Sequence, residues 1–172
     1  MKEILANITS ENEKTMKLFR SLASLRERGF LTKKEFIEIS KWKSPRPLKH
    51  YEENDEKLVK EITKAAFATK NEKIKIHILT ALKGVNYPTA SAILMFYDPQ
   101  KYPVLDIRVW QQLYKEKLVD TNAKGQNFTL EEWEKYLEVI RRIAKKFGLT
   151  VREVEKSFFD YHRNMQKGNL YT

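Results

Sequence analysis

The sequence predicts an all-α fold of about eight helices. Apolar residues recur at three- and four-residue steps along most of the chain, and no stretch alternates for long enough to make a strand. Gly and Pro number only five each, too few for a turn-rich all-β fold. Thr32–Glu35, Thr129–Glu132 and Thr150–Glu153 read as capping boxes, each opening a helix.

The first helical segment is expected over about residues 3–27, with Ile4, Leu5, Ile8, Met16, Leu18, Phe19, Leu22 and Leu25 on its apolar side. The polar gap between Ile8 and Met16 leaves room for a break, and Gly29 ends the segment. The Thr32 box starts a short second helix carrying Phe36, Ile37, Ile39 and Trp42. Ser44-Pro45-Arg46-Pro47 then forces an extended connection, because a residue before proline avoids helix. A third helix runs over about 54–68, with Leu58, Ile62, Ala65, Ala66 and Phe67 inward. A fourth spans about 71–82, with Ile74, Ile78, Ala81 and Leu82 inward and His77 as a core or boundary residue. A nearly all-round apolar helix follows through Tyr97, and its pattern demands burial. Asp106 opens the sixth, with Val109, Trp110, Leu113 and Tyr114 inward. The last two follow the Thr129 and Thr150 boxes. Gly148 separates them, and the tail from Lys167 is expected to fray.

The length of 172 residues fits one domain built as two lobes, with a sizeable core. A balance of 33 Lys and Arg against 23 Asp and Glu gives a net charge of +10. Such a charge suits a polyanionic partner, though it also serves solubility. There is no cysteine, which excludes disulfides, thiolate metal sites and a cysteine-ligated iron–sulfur cluster. No signal peptide and no run of membrane length is visible, so a cytoplasmic, monomeric protein is expected.

The most informative stretch is Leu79–Trp110. Its helix breaks at Gly84, which accepts a left-handed backbone, and Asn86 is tolerant of positive φ. Helix resumes at Tyr87-Pro88, where the missing proline N–H is no loss. A tight hairpin of two helices should leave backbone N–H groups pointing outward, an arrangement that attracts phosphate.

The order Leu82-Lys83-Gly84-Val85-Asn86, Thr89-Ala90-Ser91, an apolar helix and Pro103-Val104-Leu105-Asp106 resembles the helix-hairpin-helix (HhH-GPD) DNA glycosylase superfamily. That group includes endonuclease III and the 8-oxoguanine glycosylases. The resembling motif covers about a fifth of the chain. It implies two helical lobes around a cleft, one of about residues 30–105. The other would be the N-terminal helix with about 106–172.

By that resemblance Asp106 is the catalytic carboxylate. It would stabilise positive charge developing on the deoxyribose and take a proton from the attacking water. Position alone reads more simply as an N-cap, and both roles are compatible. The lysine that bifunctional members place after the hairpin is matched here by Pro88, which implies a monofunctional enzyme using water. Lys83 and Lys101 lie nearby in sequence, where phosphate contact is the plainer role. The resemblance further implies DNA contacts from Gly84, Val85, Asn86, Thr89 and Arg108. It also implies a structural cation on the carbonyls of Thr80, Leu82 and Val85, with Asn86 standing where the family has its second Gly. No cofactor is required for the chemistry.

The residues add two readings of their own. Lys41-Trp42-Lys43-Ser44-Pro45-Arg46 joins an aromatic to cations, fit either for a nucleic-acid groove, with Lys43 and Arg46 as contacts, or for a plain helix terminus. A glycosylase must flip its base into a pocket. Trp42, Tyr87 and Trp110 are candidate walls, with Tyr97, Trp133, Phe158 and Tyr161 behind them, although helical spacing makes most of these ordinary core. The rival reading is a non-catalytic DNA-binding module that kept the hairpin and lost the chemistry.

Overall fold

The structure, a computed structural model, describes residues 1–6 and 8–166, so the expected fraying of the tail lies outside the described residues. Among the described residues there are helices and no strand. The helices are α1 (Lys2–Leu5), α2 (Glu13–Ser21), α3 (Leu25–Arg28), α4 (Lys33–Lys43), α5 (Leu48–Glu52) and α6 (Glu56–Ala68). They continue with α7 (Glu72–Leu79), α8 (Tyr87–Tyr97), α9 (Ile107–Lys115), α10 (Leu130–Phe147) and α11 (Val151–Met165). All three capping boxes form, at α4, α10 and α11.

The count exceeds eight for two local reasons. The first segment divides into α1, α2 and α3, because Asn12 caps α2 and residues 8–12 are not helical. Ile8 and Met16, expected on the apolar side, are exposed. The second addition is α5. The prolines break α4 as expected, with Ser44 extended, but Pro47 then sits at the N-cap of a new short helix.

At the centre is α8. Every residue from Thr89 to Phe96 is buried, as its all-round apolar sequence requires. Each large apolar side chain so removed from water contributes about 1.5–3 kcal/mol. The helices α4 and α7 pack against α8, and α6 pairs with α7. On the other side α11 packs on α1, α9 and α10.

Two inward faces differ from expectation by about one residue. In α6 the buried positions are Val59, Thr63, Ala66 and Phe67, while Ala65 is exposed. In α7 they are Lys75, Ile76 and Leu79, with Ile74 exposed. Lys75 is buried because its ammonium caps the end of α6, donating to the carbonyls of Ala66 and Phe67 at 3.0 and 3.2 Å. A polar residue thus takes a core position that hydrophobic periodicity assigns to its neighbour. His77 is exposed rather than in the core, with Nδ1 2.9 Å from the Tyr87 hydroxyl. Tyr114 is also exposed, and Gln112 takes its place on the inner side of α9.

Ile93→Ala, in the centre of α8, is expected to lower unfolding free energy by about 2–5 kcal/mol in denaturant titration. Ile74→Ala should change it by less than about 0.5 kcal/mol, as befits a surface position.

Candidate active site

The turn at residues 80–86 joins α7 to α8. Helix α7 ends at Leu79, earlier than expected, and the backbone tightens. Thr80, Ala81 and Leu82 each donate to the carbonyl three residues back, at 3.0–3.2 Å, and Val85 donates to Leu82 at 3.1 Å. Gly84 has φ +81°, and a Cβ there would lie 2.9 Å from the Tyr51 ring. Glycine is needed for both reasons.

The turn is held from outside by Asn54, which is buried. Its Oδ1 accepts from the Lys83 N–H at 2.8 Å, and its Nδ2 donates to the Lys83 carbonyl at 3.1 Å. Asn54 and Tyr51 thus brace the turn from α5 and the residues after it, the element that the prolines concealed. Asn86 is extended at φ −108°, not left-handed, and caps α8 by accepting from Thr89 N at 3.1 Å.

From α8 the chain reaches Asp106 through an extended run, fixed by three other elements. The Ser91 hydroxyl of α8 accepts from Leu105 N at 2.8 Å. The Tyr136 hydroxyl of α10 donates to the Val104 carbonyl at 2.7 Å. Glu155 of α11 accepts from Val104 N at 3.5 Å. Asp106 then caps α9, its Oδ1 accepting from Arg108 N at 2.9 Å. Its Oδ2 pairs with Lys43 Nζ at 2.5 Å.

Both partners line a cleft of about 550 Å3. Trp42 and Lys43 come from the end of α4, Asp106 from the start of α9, and Arg152, Glu155 and Phe159 from α11. Residues 9–12 and α2 supply the remaining wall. Arg152 binds Glu11 through Nε at 2.6 Å and Nη2 at 3.2 Å, while its Nη1 meets Glu155. A second group ties Thr9 and Lys156 to Asp160.

Burial pushes the Asp106 carboxyl up, but the Lys43 ammonium and the Arg108 N–H outweigh it and hold its pKa below the usual carboxylate range. Asp106 is therefore ionised at neutral pH. Glu155 goes the other way. Burial raises it, and the attraction of Arg152 does not fully compensate. Burial likewise lowers the pKa of His162, with Lys115 and Arg108 acting in the same sense.

The structure gathers only some of the residues expected at a site. Asp106, Lys43 and Trp42 share the cleft. Lys43, expected on phosphate, is instead committed to Asp106 inside it. Trp42 is half-buried, with Nε1 donating to the Thr15 hydroxyl at 3.0 Å. Trp110 is not a pocket wall. It is fully buried, donating to the carbonyls of Thr121 and Asn122. Tyr87 lies beside His77 rather than in the cleft.

Thr89 is buried, its hydroxyl donating to Asn86, so it cannot touch DNA in this arrangement. The Val85 N–H is used within the turn and does not point outward. Lys83 and Lys101 are exposed, paired with Glu53 at 3.1 Å and Asp98 at 3.6 Å. Arg46 is exposed. Arg108 is half-buried against Gln166 and over the Phe159 ring at 5.7 Å. Of the carbonyls expected to hold a cation, that of Leu82 accepts from Val85. Among the described residues no group of three or more His, Asp and Glu side chains is placed to bind a metal.

Sequence reasoning missed Asn54, Arg152, Glu155 and Glu11. Asn54 sits just before an obvious helix cap, and the acids and arginine sit in ordinary helical charge patterns. Only burial distinguishes them. Among the described residues no helix is long and apolar enough to cross a membrane. No protein-family model, no curated protein and no solved structure matches this chain.

Asn54→Ala is expected to cost about 1–3 kcal/mol in denaturant unfolding, because the Lys83 N–H and carbonyl lose their partners. Lys43→Met is expected to cost about 3–5 kcal/mol at pH 7, by leaving a buried carboxylate unpaired. Asp106 has a depressed folded pKa, so its contribution is present above its unfolded pKa and is lost as pH falls through the folded one. The stability difference between wild type and Lys43→Met should therefore shrink toward acid pH, and a carboxyl NMR titration should show Asp106 moving up in the variant.

Proposed function

We propose that this chain is a DNA glycosylase that hydrolyses the N-glycosidic bond of a damaged or modified base. The observation that carries the reading is Asp106: an ionised carboxylate at a helix start, in a cleft with an aromatic and cationic wall, following a glycine-pivoted turn between two helices. An ionised carboxylate in such a cleft is suited to stabilising an oxocarbenium-like deoxyribose and to taking a proton from water. Its cap to Arg108 N and its pair with Lys43 hold its geometry before substrate arrives.

Other features support a DNA partner. The net charge is +10. A second groove, also lined by Trp42, carries Lys14, Lys17 and Lys41 beside Glu38, and its three lysines suit the phosphates flanking a flipped nucleotide. Trp42 and Phe159 provide faces on which such a base stacks. In this reading residues of about 30–105 form one lobe and the rest the other. The cleft walls come from both sets, Trp42 and Lys43 from the first, Glu155 and Phe159 from the second. Pro88 in place of the usual amine favours a monofunctional reaction with water. The alternative, a DNA-binding module without chemistry, is favoured by the departures from the resembling motif at Lys83, Asn86 and Pro88.

The test is incubation with duplexes that each carry one modified base, followed by hot alkali to reveal abasic sites. Wild type should cleave one class of duplex only after alkali. Asp106→Asn should slow base release by at least about 10²-fold while keeping salt-sensitive DNA binding. Tight binding with no release from any duplex would favour the binding module.

A further inference from the structure

The carboxylates that line the Asp106 cleft differ in how they are held. Asp106 caps α9 and pairs with Lys43. Glu155 lies within α11 and accepts from both Arg152 and the Val104 N–H. Asp160, also in α11, holds Lys156 and Arg163 of the same helix and the Thr9 hydroxyl. Glu11 is the exception. It belongs to no helix, and among the described residues its carboxylate is hydrogen-bonded to Arg152 alone.

Arg152 is anchored without Glu11. Its Nη1 meets Glu155, and its guanidinium lies over the Trp42 ring, 5.8 Å from the centroid. A different edge presents Nε and Nη2 side by side. Glu11 sets one carboxylate oxygen on each, at 2.6 and 3.2 Å. The two free oxygens of a phosphodiester fit that edge in the same way. Both side chains line the cleft and keep some contact with solvent, 13% for Arg152 and 15% for Glu11.

The other cations of the cleft offer an incoming phosphate less. Lys43 is committed to Asp106, and Lys156 and Arg163 to Asp160. Lys14 is exposed and lines the second groove as well, where an ammonium attracts phosphate only as a point charge. An extruded nucleotide carries its phosphate with it, and among these carboxylates that phosphate needs a cation. The carboxylate most easily exchanged for it is the one with a single partner and no helix behind it.

We propose that Arg152 is the phosphate clamp of the cleft and that Glu11 occupies it as an internal stand-in until DNA displaces it. This rests on the reading of the cleft as the site of an extruded nucleotide. One anion replaces another on the same guanidinium edge. Glu155 and Trp42 hold that guanidinium throughout, so the clamp is oriented before DNA arrives. Residues 9–12 form this wall of the cleft, so the exchange also loosens the wall. The stand-in makes the site selective. A duplex whose bases stay stacked does not reach Arg152 and gains nothing when Glu11 leaves.

The test is fluorescence anisotropy at fixed salt with two duplexes of equal length. One is intact, and the other carries a tetrahydrofuran abasic analogue, which swings out readily and is not consumed. A clamp occupied about nine-tenths of the time by its stand-in weakens apparent affinity about 10-fold. Glu11→Gln should therefore tighten binding of the analogue duplex by that factor. Binding of the intact duplex should tighten by about two-fold at most, the effect of one screened charge. In an Arg152→Lys background most of the gain should vanish, because an ammonium keeps the charge but cannot offer two nitrogens side by side.

A purely structural Glu11 predicts the opposite sign, since losing it would loosen the cleft and weaken binding. Weaker or unchanged binding of the analogue duplex overturns the proposal. So does an equal gain on both duplexes, or a gain that persists in full with Lys at 152. If Glu11→Gln does not fold, Glu11→Asp takes its place. It is one methylene shorter, loses the two-point grip at unchanged charge, and carries the same expectation for the analogue duplex. Failure of wild type and variants to bind either duplex would remove the DNA reading and the clamp with it. Binding without the selective gain would remove the clamp alone.

Discussion

A helix buried on every side imposes demands on the rest of its chain, and α8 is such a helix. All its residues from Thr89 to Phe96 are out of water, so other helices must cover it in every direction. Its backbone bonds are internal, which leaves the ends as the places where polar groups need partners. At the N-terminus Asn86 caps it, and the turn before it is braced by Asn54. From its middle, Ser91 reaches out to bond Leu105 N. The same helix therefore fixes the turn at its N-terminus and, from its middle, the approach to Asp106.

That coupling explains why the cleft is where it is. The run ahead of Asp106 has no secondary structure of its own and is held by α8, α10 and α11 together. Asp106 arrives with its orientation set by the cap on α9 and its charge set by Lys43. The arrangement is costly in desolvation and persists because each buried charge has a partner. Arg152 extends the logic by joining residue 11 to α11 through Glu11 and Glu155. The chain before α2 thereby becomes a wall of the cleft rather than a loose end.

Much of the fold was legible in the residues. The capping boxes at Thr32, Thr129 and Thr150 formed as local chemistry dictates, because all their partners lie within four residues. The all-round apolar pattern of α8 required burial. What failed to be legible is physically consistent. Faces of α6 and α7 rotated because Lys75 and Thr63 found buried partners that no periodicity encodes. Helix α5 was hidden by prolines that also start it. Thr89 and Trp110 are residues suited to contacts with ligands, yet packing put them inside.

By itself the sequence determined the helical class, the glycine break before Tyr87, the cap at Asp106 and the absence of cysteine chemistry. Each depends on neighbours in the chain or on composition alone. Tertiary structure alone decided that Lys43 meets Asp106 across 63 positions, and that Glu11 reaches Arg152 across 141. Ion pairing and burial act through space, and their consequences for protonation depend on the local dielectric and on the number of partners. No local pattern carries that information, so the charge state of the cleft became visible only once the helices were packed.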